Sequence, residues 1–159
     1  MPDSAGPDRV PASVGPMTTL ERTVTVDRPL PKVFDFLSDF TTTNEWDPGT
    51  VQTVRASGDG GVGTAYRNTS KFAGRETELT YVVEELVPQK VFALRGENKT
   101  VVARDTMTFR ETPEGTEVTY EAKFDFKGLA KYAAPLLAPA FKRLGDEAAK
   151  GMHEALSRL

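Results

Sequence analysis

Apolar and polar residues alternate through most of this chain, and the period of that alternation predicts the elements. From Thr19 to Asp27, Leu20, Arg22, Val24 and Val26 take one side while Glu21, Thr23, Thr25 and Asp27 take the other, the two-residue period of a strand. Pro29 and Pro31 end it and suit the first turn of a helix, where a missing N–H costs nothing. Val33, Phe36, Leu37 and Phe40 then recur at helical spacing. A second short turn, Thr43 to Trp46, stops at Asp47-Pro48 because the residue before proline disfavours helix. Between Val51 and Phe126 the spacing predicts six strands, at about 50–56, 63–72, 75–86, 90–97, 100–111 and 116–126. Turn signals separate them: Ser57 to Gly61, Ala73-Gly74, Pro88-Gln89, Glu97 to Lys99 and Pro113 to Gly115. After Gly128 the period lengthens. Leu137, Phe141, Leu144, Ala148, Met152, Ala155 and Leu159 predict one long amphipathic helix, with Pro135 and Pro139 bending or fraying its start.

A strand, two short helices, six meandering strands and one long helix form an α+β domain. A seven-stranded antiparallel sheet of this kind curves around the long helix. Its inner face holds more apolar positions than one helix covers, so a cavity is expected, mostly apolar with a few polar anchors.

The run Val26 to Asp39 (VDRPLPKVFDFLSD), then Glu45-Trp46-Asp47-Pro48, Gly61 to Tyr66 and the closing helix carry a resemblance. The chain resembles the polyketide cyclase/dehydrase group of the superfamily that includes START lipid-transfer domains and the birch-pollen allergen. The resemblance covers residues 18–159 and implies the helix-grip fold. Its motifs specify fold more than function, because the group includes cyclases, lipid and quinone binders and co-chaperones. Lys32 stands where the group often has an acidic residue, which touches helix capping and no chemistry. The resemblance implies either binding of a small hydrophobic ligand (lipid, polyketide or quinone-like) or cyclisation of a poly-keto chain.

Composition narrows the chemistry. With no cysteine among 159 residues, thiolate catalysis, disulfides and cysteine-ligated metals are excluded. One histidine, His153, rules out a histidine metal cluster, and its place one step off the apolar stripe suggests a surface residue. A net charge of −3 with no run of Lys and Arg argues against nucleic acid. No apolar stretch reaches the length of a membrane span and no secretory pattern opens the chain, so a cytoplasmic protein is expected, as a monomer or weak homodimer with no cofactor. Residues 1–17, rich in Pro, Gly and Ser, read as a disordered tail before a single domain at 18–159, and Met17 is an alternative natural start.

Gly61-Val62-Gly63 lacks the third glycine and following helix of a nucleotide loop and reads as a hairpin turn. Asn68-Thr69-Ser70 and Asn98-Lys99-Thr100 match the glycosylation acceptor and are expected to be silent without a secretory signal.

The candidate site follows from parity. Asp105 shares a face with Val101, Ala103, Met107 and Phe109, where loss of water raises a carboxyl pKa unless Arg22 pairs with it. It is the candidate acid–base residue, the alternatives being a bulge that turns it outward or a structural ion pair. Tyr66, Asn68, Tyr81 and Tyr120 point inward by the same count, into either the cavity or ordinary core. Phe92, Leu94, Met107, Phe109 and Phe124 are expected on the cavity wall, opposite Phe141 and Leu144 of the last helix. Trp46 is read either as a cap on the portal or as packing at the sheet edge.

Overall fold

A computed structural model describes residues 17–159; the expected disordered tail lies outside the described residues except for Met17, which opens the first strand. In chain order the elements are β1 (Met17–Val26), α1 (Leu30–Leu37), a 3₁₀ turn (Phe40–Thr42), α2 (Thr43–Trp46), β2 (Thr50–Ser57), β3 (Ala65–Phe72) and β4 (Arg75–Val87). Then come β5 (Val91–Glu97), β6 (Val101–Thr112), β7 (Gly115–Phe126), α3 (Ala130–Ala133), a 3₁₀ turn (Ala134–Leu137) and α4 (Ala138–Leu156). The seven strands form one antiparallel sheet in the order β1-β7-β6-β5-β4-β3-β2. This is the curved sheet around a long C-terminal helix that the resemblance implies.

Local chemistry explains the elements. Ala73 and Gly74 both take positive φ (52° and 79°), the hairpin turn whose twist matches its strands. In β4 the inward alternation of Leu79, Tyr81 and Val83 is interrupted between Val83 and Glu85, where the register slips. Bulges of this sort bend a strand, and this one helps curl the sheet. The β6–β7 ladder runs from Val101↔Phe126 to Thr112↔Gly115 with no slip, so inward parity holds along its full length.

The last helix differs from the sequence expectation at its start. Pro135 falls in the 3₁₀ turn and Pro139 in the first turn of α4, where neither breaks an intrahelical bond. The prolines therefore divide the segment into α3, a tight turn and α4 instead of bending one helix.

Two apolar clusters fill the groove. The larger packs α1 (Val33, Phe34, Leu37) and the late turns of α4 (Met152, Ala155, Leu156) onto Val24, Phe92, Leu94, Met107, Phe109 and Val118. Each fully buried side chain of this size contributes about 1.5–3 kcal/mol. The smaller cluster, Leu20, Ala122 and Phe141, lies at the early turns of α4. A close approach fixes the helix between them: a Cβ on Gly151 would stand 2.1 Å from the backbone oxygen of Trp46. Gly151→Ala is expected to cost about 1–3 kcal/mol by forcing α4 away from α2, measurable by chemical denaturation.

Candidate functional site: a cavity with a buried carboxyl

The two clusters leave between them an open cavity of about 170 Å³. Its walls are mostly apolar, from Leu20, Phe40, Phe72, Leu79, Phe124 and Phe126 on one side to Phe141, Leu144 and Ala148 of α4 on the other. Polar groups enter at Asp47, Asn68, Tyr81, Asp105 and Tyr120, and Lys71 stands exposed at the rim. The connection from β7 to α4 joins two lining residues, Phe126 and Phe141, in the chain and carries exposed Leu129, Tyr132 and Leu136.

Asp105 is the centre of this polar end. Its position in the unbroken β6–β7 register, opposite Ala122, turns it inward, and it is 4 % exposed. The Tyr120 hydroxyl donates to its Oδ2 at 2.7 Å. Its Oδ1 is buried with no partner. Burial drives the Asp105 pKa up; the Tyr120 hydrogen bond pulls it back, the charge of Asp47 adds to the rise, and it settles at about 7. Near neutral pH this side chain exchanges a proton readily, whereas an ordinary carboxyl stays ionised.

The surroundings hold this pair in place. Trp46 meets the Tyr120 ring edge-to-face at 5.7 Å, which fixes the ring that carries the donating hydroxyl. Tyr81 lies over Gly96 on the neighbouring strand, where a Cβ would come within 2.6 Å of its ring. Gly96→Ala therefore displaces Tyr81, and a loss of about 1–3 kcal/mol together with weaker binding of any cavity ligand is expected in a melt and a titration. Burial raises the Tyr81 and Tyr120 pKa values well above the ordinary range, with Asp105 adding to both, so both phenols keep their protons.

Asp47 is a lining residue that sequence reasoning missed, having read it only as a helix stop. It accepts from the Gly49 N–H at 3.0 Å and from the Thr50 hydroxyl at 3.0 Å. Burial still raises its pKa against those two bonds, with a further push from Glu147. Asn68 lines the cavity with its polar atoms already engaged: its amide donates to Thr53 at 2.8 Å and its oxygen accepts from Ser70 at 2.7 Å.

Several expected positions fall elsewhere. Phe92, Leu94, Met107 and Phe109 point inward as parity requires, yet they lie in the packed core and not on the cavity wall. The reason is α1, whose Phe34 meets Phe109 edge-to-face at 5.0 Å and plugs that end of the groove. Tyr66 is also core, packed on Phe40. Trp46 is 2 % exposed and backs Tyr120, so it caps no portal. Arg22 does not pair with Asp105. Its guanidinium lies over Gly145, donates to Asp146 at 3.0 Å and to the Lys142 carbonyl at 3.2 Å, and so stays near water. His153 is exposed, as expected.

Comparison with known proteins agrees with this architecture. The family model described as polyketide cyclase/dehydrase and lipid transport matches residues 17–158. No curated protein matches by sequence. Among solved structures, the Zhui aromatase/cyclase from a Streptomyces species is 18% identical, with 89% of this chain and 94% of that chain covered at a TM-score of 0.77. A START superfamily protein from Mycobacterium smegmatis is 12% identical over 88% of this chain and 97% of its own, at 0.73. Ara h 8.0201 is 17% identical over 90% and 97%, at 0.64. At these identities the structures speak for the fold alone, while the match across nearly the whole described chain decides the family. The chain belongs to the polyketide cyclase/dehydrase and lipid transport family.

Proposed function

We propose that the protein binds a small hydrophobic molecule (a lipid, polyketide or quinone-like compound) in the cavity, with Asp105 and Tyr120 as its polar anchor. The observation that carries this reading is the open, aromatic-walled cavity with the unpartnered Asp105 Oδ1 in its polar wall. Apolar walls supply affinity, and one charged or hydrogen-bonding group fixes orientation. The same reading has the protein act in the cytoplasm as a monomer or weak homodimer, without a cofactor; among the described residues no helix is long and apolar enough to cross a membrane.

Prodan, a neutral naphthyl ketone dye, tests the proposal. It is expected to bind saturably, and Leu144→Trp, which projects a larger ring into the cavity from α4, should weaken binding at least about tenfold. Binding that ignores Leu144→Trp places the dye on the surface and contradicts the reading.

A second reading is a cyclase acting on a poly-keto chain, favoured by the Asp105 pKa near 7 beside a hydroxyl donor. In it the walls fold the chain and Asp105 moves the proton. Asp105→Asn would then lower turnover of such a substrate roughly a hundredfold or more while leaving prodan bound.

A further inference from the structure

The charges around the cavity are one-sided. Two carboxyls line it, Asp47 and Asp105, and the only basic residue among the described lining is Lys71, exposed at the rim. Arg22, which points inward from β1 by parity, is engaged with Asp146 across Gly145. Asp47 spends its oxygens on Gly49 and Thr50, and Asp105 spends only one, on Tyr120. The cavity therefore ends in a buried acceptor that makes no hydrogen bond. A bound molecule that supplies N–H donors and positive charge satisfies that acceptor and offsets both carboxylates.

We propose that the cavity's ligand is a hydrophobic amine, held as its ammonium on Asp105 Oδ1 with its aromatic or aliphatic body among Phe40, Tyr81, Tyr120 and Phe124. The proposal rests on the reading that the cavity is a site for a small hydrophobic molecule and gives that molecule a basic nitrogen. The rings around the polar end favour a cation further. The size fits one enclosed ring, since a cavity of about 150 Å³ accommodates benzene, with longer bodies extending through the mouth past Lys71.

A rival is a neutral ketone that accepts a hydrogen bond from protonated Asp105, and pH separates the two. The groups that act on Asp105 are Tyr120 on β7 and Asp47 after α2, with Tyr81 on β4 in the same wall. Lys71 on β3 stands exposed at the rim, and α4 lines the cavity with Leu144, Gly145 and Ala148 while its Glu147 acts on Asp47. Both tyrosines stay protonated, so between pH 5.5 and 8 Asp105 sets the response. An ammonium competes with the proton for Asp105 and binds more tightly as pH rises. A ketone acceptor binds more tightly as pH falls.

Calorimetric titration with 2-phenylethylamine and its uncharged isostere 2-phenylethanol, at pH 5.5 and pH 8, tests the proposal. At pH 8 the amine is expected to bind roughly tenfold to a hundredfold more tightly than the alcohol. That advantage should shrink at pH 5.5 and disappear in Asp105→Asn, with thermal melts checking that the variant is folded. Asp47→Asn should reduce the advantage and keep its direction. An alcohol that matches the amine at pH 8, or an amine advantage that survives Asp105→Asn, overturns the proposal and leaves prodan binding intact. If amine, alcohol and prodan all fail to bind, the ligand-site reading falls and the amine proposal with it.

Discussion

Between pH 4 and pH 8 the protein is expected to lose about 4 kcal/mol of folding stability relative to its Asp105→Asn variant. The Asp105 pKa is about 7 in the folded state against an ordinary 3.8, so across this interval the folded protein holds a proton that the unfolded chain releases. Stability from this group is complete below the unfolded pKa and falls as pH rises through the folded one, until above pH 7 the folded state carries a buried anion. Asn at this position has nothing to ionise. It still accepts the Tyr120 hydrogen bond, and its amide group takes the place of Oδ1, which is unpartnered already. Asp47 titrates in both proteins, so its contribution largely cancels in the difference. Urea denaturation of both proteins at intervals of pH gives the two curves. Parallel curves would mean that water reaches Asp105 and that the cavity is not apolar at that end.

The second large effect separates packed core from cavity wall. Phe92→Ala is expected to cost about 3–5 kcal/mol, because the ring is 0 % exposed inside the cluster that α1 seals. Phe124→Ala should cost clearly less, since Phe124 is only partly buried and faces open space already. Their effects on ligand should run the other way: Phe124→Ala reshapes the site and changes prodan affinity, whereas Phe92→Ala leaves the cavity lining intact. Equal destabilisation by the two substitutions would contradict the division of the groove into a plugged end and an open end.

That division shows how far the sequence could be read. Alternation in β6 and β7 put Asp105, Tyr120 and Phe124 on the covered face, and the unslipped ladder keeps them there. Helical spacing put Phe141 and Leu144 on the inner side of α4, where they line the cavity. Parity says which face is inward, but not how far along a strand another element covers it. Phe92, Leu94, Met107 and Phe109 satisfy the same alternation as Phe124, and only the packing of α1 and the late turns of α4 over them, with Phe34 on Phe109, makes them core. Arg22 satisfied the parity rule with its Cβ, while its long side chain followed the gap over Gly145 to a partner in water. A guanidinium that reaches solvent avoids the desolvation cost of a buried pair. Asp47 carried no periodic signal, because its position is set by how α2 docks and not by a strand or helix phase. A carboxyl directly after an inward-packed Trp46 was the one available hint.

NMR titration of the Asp105 side-chain carboxyl, with and without saturating prodan, tests most directly whether a titrating carboxyl stands in the wall of a ligand cavity. The predicted result is a midpoint near 7 in the free protein that moves when the dye occupies the cavity. A midpoint near 4 that the dye leaves unmoved would put Asp105 in water and contradict the account.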